Sequence, residues 1–230
     1  MRGERGDFTV ATYRGEHRAR HVVLAIGFFD VPCLMRVPGE DLPKVTHYYR
    51  EPYAYVRQKV AVIGAKNSAA KAALDGYRHG AEVTLVVRSS TLSDSIKYWI
   101  RPDLENRIKE GSIKAFFETA VVDIQDKTIT LQTPTDRVTL ENDWVLAMTG
   151  YQPDFAFLER LGITFADDGC RTPIFDESSF ESARPGVYLA GTVCGGLRTN
   201  RWFIENGRFH AQQIASHVAK GKAAPIHLED

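Results

Sequence analysis

The chain has 230 residues, of which 43% are hydrophobic and 25% are charged, a composition that predicts a soluble globular protein with a buried core. Its 29 basic residues balance 29 acidic ones, so bulk charge indicates neither nucleic acid nor an anionic membrane surface as a partner. No apolar stretch is long enough to span a membrane or to act as a secretory signal, and we expect neither.

The first predicted elements are two strands without a helix before them. Residues 8–13 alternate between apolar and polar side chains, and residues 21–26 form an apolar run that ends at Gly27. Residues 31–55 are rich in proline and tyrosine, which disfavours regular structure. We interpret this segment as a connector, with a domain boundary near residue 55.

Residues 59–69 have the sequence KVAVIGAKNSA, an apolar strand that runs into a glycine turn and a small-residue helix. Gly64 permits the tight turn, and the amides after it would point at a pyrophosphate at the helix N-terminus. Ala69 would keep this helix close to the sheet. Lys66 stands where the usual pattern has its second glycine, and it brings a cation to the phosphates. The pattern predicts a dinucleotide site.

The elements after this turn support the same interpretation. A helix is predicted over 67–79 and a second apolar strand over 82–87. Arg88 follows that strand, where an NAD-binding unit usually carries an acidic residue, and an arginine suits the extra phosphate of NADPH. A helix over 102–109 completes a β-α-β-α order, which is typical of half a Rossmann fold.

Most of the remaining predicted elements are strands. They cover 113–117, 121–124, 128–132, 137–140 and 143–148, and the last of them leads into Gly150. One more strand at 186–191 ends at Gly191, and residues 203–220 have the apolar spacing of a closing amphipathic helix. The predicted fold class is therefore α/β.

No residue stands out as a catalytic group or a metal ligand. Cys33, Cys170 and Cys194 are widely spaced and form neither a C-x-x-C pair nor a zinc pattern, which favours a reducing cytoplasm. Cys194 is more simply a buried apolar residue than a reactive thiol. His210, on the last helix, is either a proton donor or, as we favour, a surface or satisfied histidine. We assign no catalytic residue and no metal site.

Several segments together resemble the flavin-dependent pyridine nucleotide-disulfide reductases, and within them the bacillithiol disulfide reductase group of thioredoxin-reductase-like flavoproteins. The resemblance covers nearly the whole chain and rests on VLAIGFFD (23–30), VPGEDLP (37–43), GAKNSA (64–69), SIKYW (95–99), ENRIKEGSI (105–113) and FIENGR (203–208). It implies a Rossmann-like NADPH-binding domain inserted in a FAD-binding Rossmann-like domain. The implied boundaries are 1–54 for a partial FAD-binding domain and connector, 55–146 for the NADPH-binding domain, and 147–230 for the rest of the FAD-binding domain.

The resemblance implies an NADPH site around the glycine turn. The residues implied are Gly64, Ala65, Lys66, Asn67, Ser68, Ala69, Arg88, Ser89 and Lys97. Lys66 becomes a mark of the subgroup, and Lys97 would assist Arg88 at the 2′-phosphate. Thioredoxin reductases usually carry two adjacent arginines at this strand end, whereas Ser89 follows Arg88 here. The strength of the preference for NADPH over NADH therefore stays open.

The resemblance also implies an FAD site. Gly27 and Gly150 would be the joints between the two domains, Gly191 would lie near the ribityl arm, and Thr192 stands where the family often has aspartate. The last helix, starting near Arg201, would direct its N-terminal dipole at the flavin pyrimidine. The N-terminal strand, G-x-G-x-x-G turn and helix that bind the FAD pyrophosphate in this family are absent from the sequence, as is the segment with the proposed redox cysteine. We therefore expect a truncated FAD-binding domain.

Two function hypotheses from different classes remain open. The first is an NADPH-dependent FAD oxidoreductase, in which hydride passes from NADPH to FAD and electrons pass on to a low-molecular-weight disulfide such as bacillithiol disulfide. The second is a catalytically silent NADPH-binding fragment, and a flavin monooxygenase-like protein is a third alternative. The expected partner is a small-molecule disulfide, and assembly into a homo-oligomer stays open.

Overall fold

The computed structural model describes residues 1–220. Within them the strands are β1 (Arg2–Glu4), β2 (Asp7–Thr12), β3 (Gly15–Ala19), β4 (Val22–Leu24), β5 (Val31–Pro32), β6 (Val45–Thr46), β7 (Lys59–Ile63), β8 (Glu82–Val86), β9 (Lys114–Phe116), β10 (Ala120–Gln125), β11 (Thr128–Gln132), β12 (Arg137–Glu141), β13 (Trp144–Ala147), β14 (Tyr151–Gln152) and β15 (Val187–Leu189). The α-helices are α1 (Asn67–Arg78), α2 (Arg101–Lys109), α3 (Phe155–Arg160) and α4 (Ile204–Lys220). Short 3-10 helices cover Tyr53–Tyr55 and Gly191–Gly195.

The chain forms two compact units. Among the described residues, unit 1 consists of residues 1–31 and 151–220, and unit 2 consists of residues 32–150. Residues 32–54, which the sequence indicates as a connector, belong to unit 2. The assignment of one nucleotide to each domain, with boundaries at 54 and 146, stays a prediction.

Unit 2 is built on a five-stranded parallel sheet in the order β6-β13-β7-β8-β9. Because successive side chains of a strand point to opposite faces, each strand serves two cores. Val60 and Val62 of β7 join the core beneath the helices, whereas Ala61 and Ile63 join the core beneath the antiparallel meander β10-β11-β12. The sheet is thus covered on both faces, as parallel sheets require.

Helix α1 lies close to the sheet because its buried side is made of small residues. Ala69, Ala70, Ala72 and Ala73 are all buried. Gly80, two residues after the end of α1, has a φ of +83°, a left-handed conformation that glycine adopts without strain. The Gly80 N–H bonds to the third carbonyl before it, and the next N–H bonds to the fifth before it, which is the Schellman pattern of a helix C-terminus.

Unit 1 contains a smaller set of elements around one core. Strands β1, β2 and β3 form an antiparallel meander, and β4 pairs in parallel with β15. The core includes Phe8 and Tyr188, which are almost completely buried. Helix α3 starts at the N-cap Asp154, whose side chain accepts a hydrogen bond from the Phe157 N–H.

The predicted α/β class is confirmed by the parallel sheet, and the predicted order of β7, α1, β8 and α2 is also found. The amphipathic helix predicted over residues 203–220 is found as α4. The buried residues of α4 are His210 and Ile214, whereas Phe203 before the helix and Ile204 within it are exposed. Within residues 1–220, no helix combines the length and the apolar composition needed to cross a bilayer.

Candidate functional site

The glycine turn lies at the carboxyl end of β7, where Gly64 has a φ of +143°. A Cβ at this position would lie 2.5 Å from the carbonyl oxygen of Met148 and 3.1 Å from the Cβ of Ala69. Both the backbone angle and the lack of space require glycine here. The Gly64 N–H donates to the carbonyl oxygen of Val86 over 3.0 Å, which fixes the turn to the neighbouring strand β8.

The N-terminus of α1 presents amides with no acceptor inside the helix. Lys66 is the N-cap residue, and its side chain does not cap the helix. The N–H of Ala70 donates to the Lys66 carbonyl oxygen over 3.0 Å, so the N–H groups of Asn67, Ser68 and Ala69 precede the first helical bond. The helix dipole adds a partial positive charge at the same place. This cradle of free amides therefore fits a phosphate group.

Asn67 connects the glycine turn to the segment that carries Lys97. Its Nδ2 donates to the Ser95 carbonyl oxygen over 2.8 Å, and its Oδ1 accepts from the Lys97 N–H over 2.9 Å. In addition, the Ser93 N–H donates to the Ala65 carbonyl oxygen over 3.0 Å. These three hydrogen bonds hold the segment beside the turn and fix the backbone position of Lys97.

Cationic side chains accompany this cradle. Arg88 follows β8 as Gly64 follows β7, so both residues lie at the carboxyl edge of the parallel sheet. The Arg88 guanidinium is exposed and makes no ion pair or side-chain hydrogen bond with any residue in 1–220. Lys97 is also exposed, with its Nζ 5.0 Å from the ring centroid of Trp99. The Ser89 hydroxyl is used locally, in a 2.7 Å bond to a carbonyl two residues later.

Cys33 lies near the same turn but is not poised as a thiolate. Its N–H donates to the Gly150 carbonyl oxygen over 2.9 Å, and its carbonyl oxygen accepts from the Thr149 hydroxyl over 2.6 Å. Burial raises the pKa of the thiol, and the charge of Lys66 opposes that rise only in part. A protonated thiol is a weak nucleophile, so the raised pKa disfavours Cys33 as a nucleophile.

In unit 1, strands β4 and β15 end side by side, with Leu24 paired to Leu189. Gly27 and Gly191 follow these ends with φ values of +68° and +76°. A Cβ on Gly27 would lie 3.6 Å from the Thr192 hydroxyl, and a Cβ on Gly191 would meet nothing within 4 Å. Two positions without side chains at the carboxyl edge of parallel strands allow a ligand to approach the backbone, and these residues fit part of a flavin cofactor.

Next to this edge lies a buried pair, Cys194 and His210. The Sγ of Cys194 is 3.9 Å from Nδ1 of His210, and neither residue is more than 1% exposed. Burial raises the pKa of the thiol to about 12, with a smaller opposing effect from the charge of Arg201. The pair therefore does not form a thiolate–imidazolium dyad at neutral pH. The preference for Cys194 as a buried apolar residue agrees with this environment.

The structure collects the predicted cofactor residues into two groups, one in each unit. Unit 2 holds Gly64, Ala65, Lys66, Asn67, Ser68, Ala69, Arg88, Ser89 and Lys97, and unit 1 holds Gly27, Gly191 and Thr192. Gly150 is the last residue of unit 2 and has a φ of +97°. Within residues 1–220, no group of three or more histidine, cysteine, aspartate or glutamate side chains is arranged to bind a metal.

Two features of these sites were not predicted from the sequence. Ser93 and Ser95 hold the Lys97 segment to the glycine turn through backbone atoms, which leave no pattern in side-chain type. His210 contacts the β15 end through its ring, although the sequence favoured a surface or satisfied histidine. His210 is therefore buried and half satisfied: Nδ1 has a hydrogen-bond partner, whereas Nε2 has none among residues 1–220.

The chain is similar to known pyridine nucleotide-disulphide oxidoreductases. A family model described as pyridine nucleotide-disulphide oxidoreductase matches residues 1–191. Bacilliredoxin reductase Bdr from Bacillus subtilis (strain 168) is 40% identical over 214 residues, which cover 93% of this chain and 66% of that protein.

Two solved structures of bacillithiol disulfide reductase Bdr are also similar. The enzyme from Bacillus cereus gives a TM-score of 0.88 at 38% identity, over 93% of this chain and 66% of its own. The enzyme from Staphylococcus aureus gives a TM-score of 0.92 at 35% identity, over 96% of this chain and 68% of its own. The chain thus spans between 66% and 68% of the length of these relatives.

Proposed function

Because the chain belongs to the pyridine nucleotide-disulphide oxidoreductase family, we propose that it is an NADPH-dependent flavoprotein that reduces a low-molecular-weight disulfide such as bacillithiol disulfide. The observation that carries the proposal is the glycine turn of unit 2, with its free helix amides and, at the same sheet edge, the Arg88 guanidinium, which is unpaired among residues 1–220. The names of the two solved relatives support a small disulfide as the substrate. All three cysteines are free, which supports action in the cytoplasm.

Each unit would hold one of the two cofactors of this family. In unit 2, the N–H groups at the start of α1 and the Lys66 ammonium would hold the pyrophosphate of NADPH, while Arg88 and Lys97 would hold its 2′-phosphate. In unit 1, the backbone at Gly27 and Gly191 and the Thr192 hydroxyl would hold part of FAD. When bound, the nicotinamide supplies a hydride and the flavin accepts it.

The first test is the visible absorbance spectrum of the purified chain, recorded without oxygen before and after NADPH is added. We expect a flavin spectrum that bleaches on addition, followed by oxidation of NADPH that depends on bacillithiol disulfide. A colourless protein that still binds NADPH would contradict the reductase and favour the silent nucleotide-binding alternative. Oxidation that depends on oxygen and not on the disulfide would contradict it in favour of a monooxygenase-like activity.

Replacement of Asn67 by alanine is expected to weaken NADPH binding more than NADH binding. The change removes both side-chain hydrogen bonds to the Ser95–Lys97 segment. Each bond contributes about 1 kcal/mol net, so the NADPH dissociation constant should rise by about tenfold to thirtyfold. Dissociation constants from calorimetric titration with both nucleotides measure the effect.

The matched control for this substitution is Asn106→Ala. Asn106 is exposed on α2 and has no side-chain hydrogen bond among residues 1–220, so nucleotide affinity should be unchanged. Equal losses for NADPH and NADH in Asn67→Ala would show that Asn67 supports the turn alone, and not the position of Lys97.

A further inference from the structure

His210 contacts the end of β15 through one ring nitrogen. Its Nδ1 accepts a hydrogen bond from the Gly191 N–H over 3.0 Å. Gly191 begins the 3-10 helix that follows β15, with a φ of +76° that glycine adopts without strain. Gly207, one turn before His210 on α4, lets the helix approach: a Cβ there would lie 3.7 Å from the Gly191 Cα.

The rest of the imidazole is enclosed by apolar rings. Phe180 stacks on it with ring centroids 4.0 Å apart, and Trp202 meets it in a T-shaped contact at 4.5 Å. His210 is 1% exposed, and its Nε2 has no hydrogen-bond partner among residues 1–220. An acceptor at Nδ1 requires the neutral tautomer with its proton on Nε2.

The groups around the ring do not favour a positive charge. Cys194 is the titratable group within reach, and burial keeps its thiol protonated. Arg201 is the charged residue that acts on this thiol. Phe180 and Trp202 carry no charge. Burial alone lowers the pKa of His210 from its ordinary value of 6.5.

We propose that His210 is a positioning residue that holds the Gly191–Gly195 turn at the carboxyl end of β15 by accepting the Gly191 N–H in its neutral Nε2–H form. A second proton on the ring would turn this acceptor into a donor that faces another donor, and the turn would be released. Insofar as the proposed FAD site is correct, His210 thereby sets the backbone that meets the flavin. That consequence rests on the proposed function, whereas the hydrogen bond itself does not.

The test measures amide hydrogen exchange of the full chain by NMR, without any cofactor. In His210→Phe, which keeps an aromatic ring against Phe180 but has no acceptor, we expect the Gly191 amide to exchange about tenfold faster, as the loss of one hydrogen bond predicts. His210→Asn places an amide oxygen near the Nδ1 position and should restore most of the protection. Unchanged exchange at Gly191 in His210→Phe would overturn the proposal.

The Leu189 amide provides an internal reference, because it donates to the Phe180 carbonyl oxygen over 2.9 Å in the same core. Its protection should be equal in all three proteins, and a general loss in His210→Phe would mean that the core has opened. In that case the position of the ring proton in wild-type His210 tests the proposal. Nitrogen-15 spectra should show the proton on Nε2 at pH 7, and a proton on Nδ1 would overturn the proposal.

A pH series separates this role from simple packing. Because the folded-state pKa of His210 is lowered, its contribution to stability is fully present above pH 6.5 and is lost as the pH falls below that value. Exchange at Gly191, corrected for its intrinsic pH dependence, should accelerate over this range in the wild type and not in His210→Asn. Equal pH dependence in both proteins would contradict the proposal. Failure of the protein to retain flavin would contradict the proposed function and leave these results unaffected.

Discussion

Gly64→Ala is expected to destabilise unit 2 by about 2–4 kcal/mol and to abolish measurable NADPH binding, because it combines backbone strain with a steric clash. The new Cβ would lie 2.5 Å from the Met148 carbonyl oxygen, at a φ of +143° that L-residues rarely adopt. Relief requires the turn to move away from β13 and β8, and the free amides at the start of α1 would move with it. Urea unfolding and calorimetric titration with NADPH measure the two effects.

Two other glycines separate strain from clash. Gly80→Ala has a positive φ but open space around the new Cβ, so it should lose about 1–2 kcal/mol, the cost of the left-handed backbone alone. Gly76→Ala lies inside α1 with an ordinary contact of 3.5 Å to the Val83 side chain, so it should be neutral or stabilising by up to about 1 kcal/mol. Neither should affect NADPH affinity directly. If Gly64→Ala were no worse than Gly80→Ala, the close packing against Met148 would not matter.

The sequence was most informative where the signal is local. Strand β7 is predicted at residues 59–63 and found there, because a buried parallel strand is a continuous apolar run that a glycine turn interrupts. The end of α1 is similarly local, since Gly80 provides the left-handed residue that closes the helix. Both signals lie within a few residues of the element that they define.

The elements that the sequence missed depend on partners far along the chain. Strand β6 has two residues, and pairing with β13, a hundred residues later, makes it an edge of the sheet. Strand β3 was not predicted, because its residues are mostly polar and show no apolar alternation, and the structure exposes most of them. Helix α3 has six residues and too few apolar positions to show a period, although its N-cap Asp154 was a usable signal.

The candidate sites divide in the same way. The glycine turn and Arg88 could be predicted because spacing from a strand end defines them. The bonds from Asn67 to Ser95 and Lys97 cross about thirty residues, and the bond from Gly191 to His210 crosses nineteen. No local sequence pattern predicts such long-range pairs. These hydrogen bonds fix the backbone position of Lys97 and support the Gly191 turn.

Arg88→Ala is expected to reduce NADPH affinity about tenfold to a hundredfold while leaving NADH affinity within about a factor of two, since a hydrogen bond between charged groups contributes about 1.5–3 kcal/mol. The guanidinium is exposed and makes no ion pair within residues 1–220, so its removal should not change the free energy of unfolding measurably. Arg88→Asp should lower NADPH affinity further, because the carboxylate repels the 2′-phosphate. The same carboxylate can accept hydrogen bonds from the ribose hydroxyls of NADH, which favours NADH. Dissociation constants for both nucleotides give the ratio that decides the matter.

The control for the arginine series is Arg137→Ala, on the exposed strand β12 of the meander, outside the proposed nucleotide site. It should leave both affinities unchanged. Ser89→Arg tests the same site by adding a second cation next to Arg88, and it should raise NADPH affinity. The change also removes the hydrogen bond from the Ser89 hydroxyl to the Thr91 carbonyl oxygen. If Arg88→Ala weakened NADPH and NADH equally, Arg88 would contact a group that both nucleotides share. The 2′-phosphate would then have to be recognised by Lys97, and the predicted preference for NADPH would lose its main support.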